Sequence, residues 1–228
     1  MARLPRLSLP GHAHYLLQRG HNGSPIIRDA SDAEQLLQTL REAALSCGVV
    51  LHAYAALPTE LHVLATPDSD TGISRAMQAL GRRYAAGFNR RHARTGGLWN
   101  GRFRSALVEA GAPLLLALRR IDALGLPAES DAAGSPLRSS APHRIGGRRD
   151  PAVVDPPEYW QLGNTPFERE SRYRDLLQEP LPAPAANALD AAVRGSWAMG
   201  RPAFLQSLAQ QTARPLTPRP RGRPRRTA

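Results

Sequence analysis

Lysine is absent from this 228-residue sequence: all 30 basic residues are arginine, and against 19 acidic ones they leave a net charge of +11. Cysteine is nearly absent, and a lone Cys47 excludes an intramolecular disulfide. Long apolar runs are missing as well. The N-terminus MARLPRLSLPGHAH carries arginines but no sustained apolar stretch, and Leu114–Leu118 is far too short to cross a bilayer. Nothing in the sequence predicts export or a membrane, and a soluble cytoplasmic protein is expected. Aspartate and glutamate are missing from Gly72 to Ala106, a stretch rich in arginine. The guanidinium is a planar fork of donors suited to phosphates and guanine edges, so this balance predicts a polyanion partner. An arginine-heavy genome would give the same totals, and only clustering separates the two.

The apolar patterning predicts an α+β chain. Ala13–Arg19 reads as a strand ending in the turn Gly20-His21-Asn22-Gly23. Ser31 and Glu34 have capping-box spacing, and Leu36, Leu37, Leu40 and Ala44 continue at helical intervals to Gly48. Two apolar runs then flank Pro58-Thr59 as a hairpin. A helix follows from Gly72 to about Arg94, with Ile73, Met77, Leu80, Tyr84 and Phe88 on one face; then a strand over 102–108 and a helix over 112–124. The order β-α-β-β-α-β plus a helix predicts a ferredoxin-like core in residues 1–126, with a four-stranded antiparallel sheet that keeps one face open for a ligand. Residues 127–157 turn to Gly, Pro, Ser and Asp and read as a loop or linker with little core. Residues 158–212 read as a small helical extension, opened by a capping box at Thr165-Pro166-Phe167-Glu168 and continued at 187–198 and 202–211. Residues 213–228 read as a disordered basic tail.

Within the hairpin, strand alternation puts Glu60, His62 and Leu64 on one face and Leu61, Val63 and Ala65 on the other. A carboxylate and an imidazole side by side can grip a divalent cation; a histidine satisfied by a neighbour gives the same pattern. Arg75, Arg82, Arg83, Arg90 and Arg94 form a stripe along the next helix, either a phosphate track or a solvated face. Around the following turn Trp99, Arg102, Phe103 and Arg104 interleave aromatic and basic side chains, which suits stacking on unpaired nucleotides and equally suits a core. In the tail, Pro220-Arg221-Gly222-Arg223-Pro224 resembles an AT-hook core, whose Arg-Gly-Arg lies in the narrow minor groove of A·T-rich DNA.

Five stretches in order, HAHYLLQRGHNG, LHAYAALPTELHVL, RRYAAGFNRRHARTGGLWNGRFRSALVE, SSAPHRIGGR and YWQLGNTPFERESRYR, resemble the single-tyrosine HUH transposases, in particular the REP-associated tyrosine transposase branch. The resemblance implies a ferredoxin-like domain that binds DNA hairpins and nicks an adjoining single strand. In that family a His-x-His pair and a polar residue on a later helix hold Mg²⁺ or Mn²⁺, and a tyrosine on that helix attacks the phosphorus. Here Glu60 replaces the first histidine and His62 matches the second. The helix pattern R-Y-I-H-L-N-P reads Arg119-Arg120-Ile121-Asp122-Ala123-Leu124-Gly125, so Arg120 stands at the nucleophile and Leu124 at the third metal ligand. The resemblance implies that Tyr15, Tyr54 and Tyr84 occupy ordinary positions of the fold and that Tyr159 and Tyr173 lie beyond it, so no tyrosine is expected beside His62. The expectation is a transposase-like protein that binds hairpin or single-stranded DNA and is impaired in cutting it. The alternatives are an active metal-dependent enzyme with a displaced tyrosine, an RNA- or protein-binding ferredoxin-like module, and a decaying gene product with no role.

Overall fold

The computed structural model describes residues 6–126 and 138–218. In chain order its elements are β1 (Ala13–Arg19), α1 (Ala30–Ser46), β2 (Val49–Ala56), β3 (Glu60–Pro67), α2 (Gly72–Arg91), β4 (Arg104–Val108) and α3 (Ala112–Leu124). There follow β5 (Arg138–Ser139), α4 (Ala141–Arg144), α5 (Pro157–Trp160), α6 (Pro166–Gln178), α7 (Ala183–Gly195), β6 (Ala198–Met199) and α8 (Pro202–Ala209). None of these helices is long and apolar enough to cross a membrane.

The strands form one sheet in the order β5-β2-β3-β1-β4-β6. The four central strands pair antiparallel, and β6 joins β4 in parallel, so the sheet is six-stranded and mixed where a four-stranded antiparallel one was expected. The added strands are two residues each, too short to leave a periodic signal. They occupy the edges of β2 and β4, whose backbone groups would otherwise lack partners.

The alternation along β3 divides the core. Leu61, Val63 and Ala65 pack with Leu36, Leu37 and Leu40 of α1 and with Ile73, Leu80, Tyr84 and Phe88 of α2. On the opposite face Tyr15, Leu17 and Leu64 pack with Leu118 and Ile121 of α3, Tyr159 of α5, Tyr173 of α6, and Leu189 and Val193 of α7. The face expected to be open is therefore covered, because the apolar stripes of the C-terminal helices need a surface to bury and this one is apolar. The cap of α1 also differs from the expected Ser31–Glu34 box. Asp29 accepts the Asp32 N–H at 2.8 Å and the Asp32 carboxylate accepts the Arg28 N–H at 2.9 Å, so two aspartates do the capping. The capping box at Thr165 and Glu168 is present.

The segment 127–157, expected to be a linker with little core, is built into the fold over its described part. Arg144 and Asp122 are both fully buried and pair at 2.9 Å. The Asp122 carboxylate also accepts from the Ser140 hydroxyl at 2.7 Å and from the Tyr173 hydroxyl at 2.7 Å, while Arg144 pairs with Asp155 at 2.8 Å and donates to the His52 carbonyl. Tyr159 donates to the Arg144 carbonyl at 3.1 Å. Beside this cluster Arg41 donates to Asp150 at 2.7 Å, and Tyr54 to the same oxygen at 2.5 Å. Within the described part, the polar residues Ser140, Arg144, Asp150 and Asp155 are thus held in a hydrogen-bonded network, while Arg148 and Arg149 between them stay exposed. The start of the expected tail is also placed: Leu216 is buried against Leu7, Leu107 and Leu208.

These pairs contribute to the acid sensitivity of the fold. Burial pushes the carboxyls of Asp150 and Asp155 up, but Tyr54 and Arg41 at the first, and His143 and Arg144 at the second, outweigh it and hold both below the usual range. A depressed folded pKa contributes stability that is complete above the unfolded value of about 3.9 and is lost as pH falls through the folded value. Urea midpoints are expected to drop below about pH 4, and to drop less in Asp150→Asn, whose own contribution is already gone at neutral pH.

Candidate nucleic-acid interface

The register of β1 against β3 sets Leu17 opposite His62 and Arg19 opposite Glu60, with Tyr15 one step further along the same face. The Tyr15 hydroxyl lies 2.9 Å from His62 Nδ1, His62 Nε2 lies 3.0 Å from Glu60 Oε2, and Arg19 Nε lies 2.8 Å from Glu60 Oε1. One tautomer satisfies the whole chain: Tyr15 donates to Nδ1, and Nε2–H donates to the carboxylate. The expectation that no tyrosine stands beside His62 is therefore wrong. Strand pairing brings in a residue 47 positions away in sequence. Both Tyr15 and Arg19 share a face with Leu17 on the first predicted strand, so the signal for them is present in the sequence. Burial drives the Tyr15 phenol well above its ordinary pKa, against the opposing charge of Arg120. The hydrogen bond from His62, against burial and helped by Arg19, draws the Glu60 carboxyl down.

Two helices roof this row. Arg120 and Leu124 come from α3, and Asp190, Val193 and Arg194 from α7, enclosing a recess of about 160 Å³ over Tyr15 and His62. Arg120 Nη2 lies 3.3 Å from Asp190 Oδ2. Asp190 and Arg194 had no sequence signal, since only the docking of α7 on the sheet brings them here. Leu17 also faces Arg104 across the β1–β4 ladder, so His62, Leu17 and Arg104 form one row across three strands.

The α2 arginines stand elsewhere. Arg75, Arg82, Arg83 and Arg90 are exposed on α2, which packs on the side of the sheet that Leu61 and Val63 face, opposite Glu60 and His62; the helix ends at Arg91 and not near Arg94 as expected, so Arg94 is half-buried in the turn beyond it. Arg83 is paired with Glu42 at 2.5 Å, and Arg94 donates to Asn89 at 3.2 Å. The stripe and the Glu60–His62 pair therefore do not line one groove, because successive residues of one strand face opposite layers. Arg102 is exposed in the turn before β4. Trp99 donates its indole N–H to the Gly81 carbonyl at 2.9 Å and packs on the α1–α2 side of the core, where Phe103 is also buried. Arg221 and Arg223 lie outside the described residues.

Glu60 and His62 bring two possible metal ligands, already bonded to each other, and Leu124 contributes none. Among the described residues the one trio of possible ligands within reach of a common ion is Asp29, Asp32 and His92, at the α1–α2 contact. There His92 Nε2 is 2.8 Å from Asp32 and Arg91 is 2.6 Å from Asp29, so these groups are already paired with their neighbours.

No protein-family model matches the sequence, and no curated protein matches it. Among solved structures, the chain is similar to a REP-associated tyrosine transposase bound to a REP hairpin, with 14% identity over 54% of this chain and 71% of the other, at a TM-score of 0.44. It is also similar to a candidate transposase of Deinococcus radiodurans, with 21% identity over 48% of this chain and 88% of the other, at a TM-score of 0.36.

Proposed function

We propose that this chain is a transposase-like DNA-binding protein that engages hairpin or single-stranded DNA along a cationic rim at one end of its sheet, and does not cut it through position 120. The observation that carries the proposal is the convergence of arginines from separate elements there: Arg19 from β1, Arg104 from β4, Arg120 from α3 and Arg194 from α7. Arg102 in the preceding turn extends the rim. The central strand order β2-β3-β1-β4, with α1 and α2 together on one face, supports a ferredoxin-like core. The tail, with Arg221 and Arg223, would add a minor-groove contact on A·T-rich duplex.

A resident Mg²⁺ or Mn²⁺ does not fit these residues. A hard cation needs about six oxygen or nitrogen ligands at short range. Here two donors share a hydrogen bond, leucine replaces a third, and three guanidiniums against two carboxylates make the recess net positive. Position 120 offers no hydroxyl, and arginine cannot attack phosphorus.

A second reading, an active strand-transfer enzyme with a displaced tyrosine, has one observation in its favour, the hydrogen bond from Tyr15 to His62. In that chemistry the Tyr15 oxygen bonds to phosphorus, its proton passes to His62 Nδ1, and the departing sugar oxygen takes that proton. Against it, Tyr15 is only 2% exposed and burial disfavours its phenolate. Its hydrogen bond makes it a positioning residue for His62. One experiment separates the readings: a labelled hairpin with a single-stranded flank is incubated with the protein and Mn²⁺ and run on native and denaturing gels. A shifted band on the native gel and none on the denaturing gel is expected. No native shift sinks the binding proposal, and a denaturation-resistant adduct lost in Tyr15→Phe would establish the second reading.

A further inference from the structure

We infer that the recess under Arg120 is a receptor for a phosphomonoester at the end of a nucleic-acid strand, so that the former nucleophile position now recognises a terminus. This rests on the DNA-binding proposal and narrows it to one group and one site. Size is the first argument: about 160 Å³ is well below the roughly 300–1,000 Å³ that encloses a whole small ligand, so the space admits a group and not a nucleotide.

Shape is the second. The sheet forms the floor through Tyr15 and Leu17, while α3 and α7 form the walls through Leu124 and Val193. A phosphodiester inside a strand must continue in two directions, whereas a walled recess takes a chain end.

Donor supply is the third. A guanidinium carries five N–H donors, and Arg120 makes one hydrogen bond, a long one of 3.3 Å to Asp190. Its Nε is buried with no acceptor. A buried donor without a partner is unfavourable, and a phosphate oxygen is the acceptor a guanidinium fork is shaped to meet. Arg194, exposed at the end of α7, and Arg19, at the end of β1, can close on a second and third oxygen. A monoester carries more charge than an internal diester, so it gains more from three guanidiniums that two carboxylates only partly neutralise.

The test measures affinity for one short single-stranded oligonucleotide in three forms: 5′-phosphate, 3′-phosphate, and hydroxyl at both ends. A preference of about tenfold or more for one phosphorylated form is expected, since hydrogen bonds to charged groups are each worth enough to give such a ratio. That ratio is expected to fall to about one in Arg120→Gln and to shrink in Arg194→Ala, whose side chain is on the surface and outside the core. Excess inorganic phosphate should erase the preference if the terminal group alone is read. Equal affinity for all three forms, or a preference untouched by both substitutions, overturns the inference while leaving the binding proposal standing. Failure of every form to bind overturns the inference, and failure of the flanked hairpin to bind as well overturns both.

Discussion

Arg144→Met is expected to destabilise the protein by about 3–5 kcal/mol, a large part of the roughly 5–15 kcal/mol that holds a typical domain folded. The substitution keeps the volume and removes the charge. Asp122, fully buried, then keeps only its bonds from Ser140 and Tyr173, and Asp155 loses a cationic neighbour. An ion pair with both partners present contributes little net stability, because desolvation offsets attraction; a single buried charge without its partner is costly. The double substitution Asp122→Asn with Arg144→Met should therefore cost less than the sum of its parts, as expected for groups in one network. Urea unfolding of the four proteins in this cycle provides the check. A loss below about 1 kcal/mol for Arg144→Met would mean that the network is open to water and that the segment after α3 is held by its apolar contacts alone.

Hairpin affinity is expected to fall roughly fifty- to one-hundred-and-fifty-fold between about 50 and 200 mM salt, the consequence of about four phosphate contacts at a log–log slope of ~0.7–0.9 each. The rim supplies Arg19, Arg104, Arg120 and Arg194, which sets that number. Arg102→Gln with Arg104→Gln should weaken binding across sequences and flatten the slope by about one to two. Arg75→Gln with Arg82→Gln should leave it nearly unchanged, because these exposed residues lie on the opposite layer. The reverse result would move the interface to the outer surface of α2. A flat salt response in the unaltered protein would remove phosphate contact as the basis of binding.

The first half of the chain is legible because its signals are local. Apolar spacing marks β1 through α3, and the alternation around His62 correctly divides Leu61 and Val63 from Glu60 and Leu64. The misreadings share a different cause. The polar residues of 138–157 look like loop because composition cannot distinguish a buried Arg144 held by Asp122 from an exposed one. The two-residue strands at the sheet edges are invisible because a period needs length to register. Tyr15 reads as an ordinary position of the fold because its meaning depends on which strand lies beside it.

By itself the sequence determined the α+β order of the elements, the excess of arginine, the residues at positions 60, 62, 120 and 124, and the absence of a hydroxyl at 120. Those are properties of short stretches, and a linear pattern records them. Only the tertiary structure decided that Tyr15 donates to His62, that α7 brings Arg194 and Asp190 over the same recess as Arg120, and that the α2 stripe faces away from it. Each of those depends on strand register or on how a helix docks across the sheet, and both follow from burying apolar surface between segments far apart in the chain.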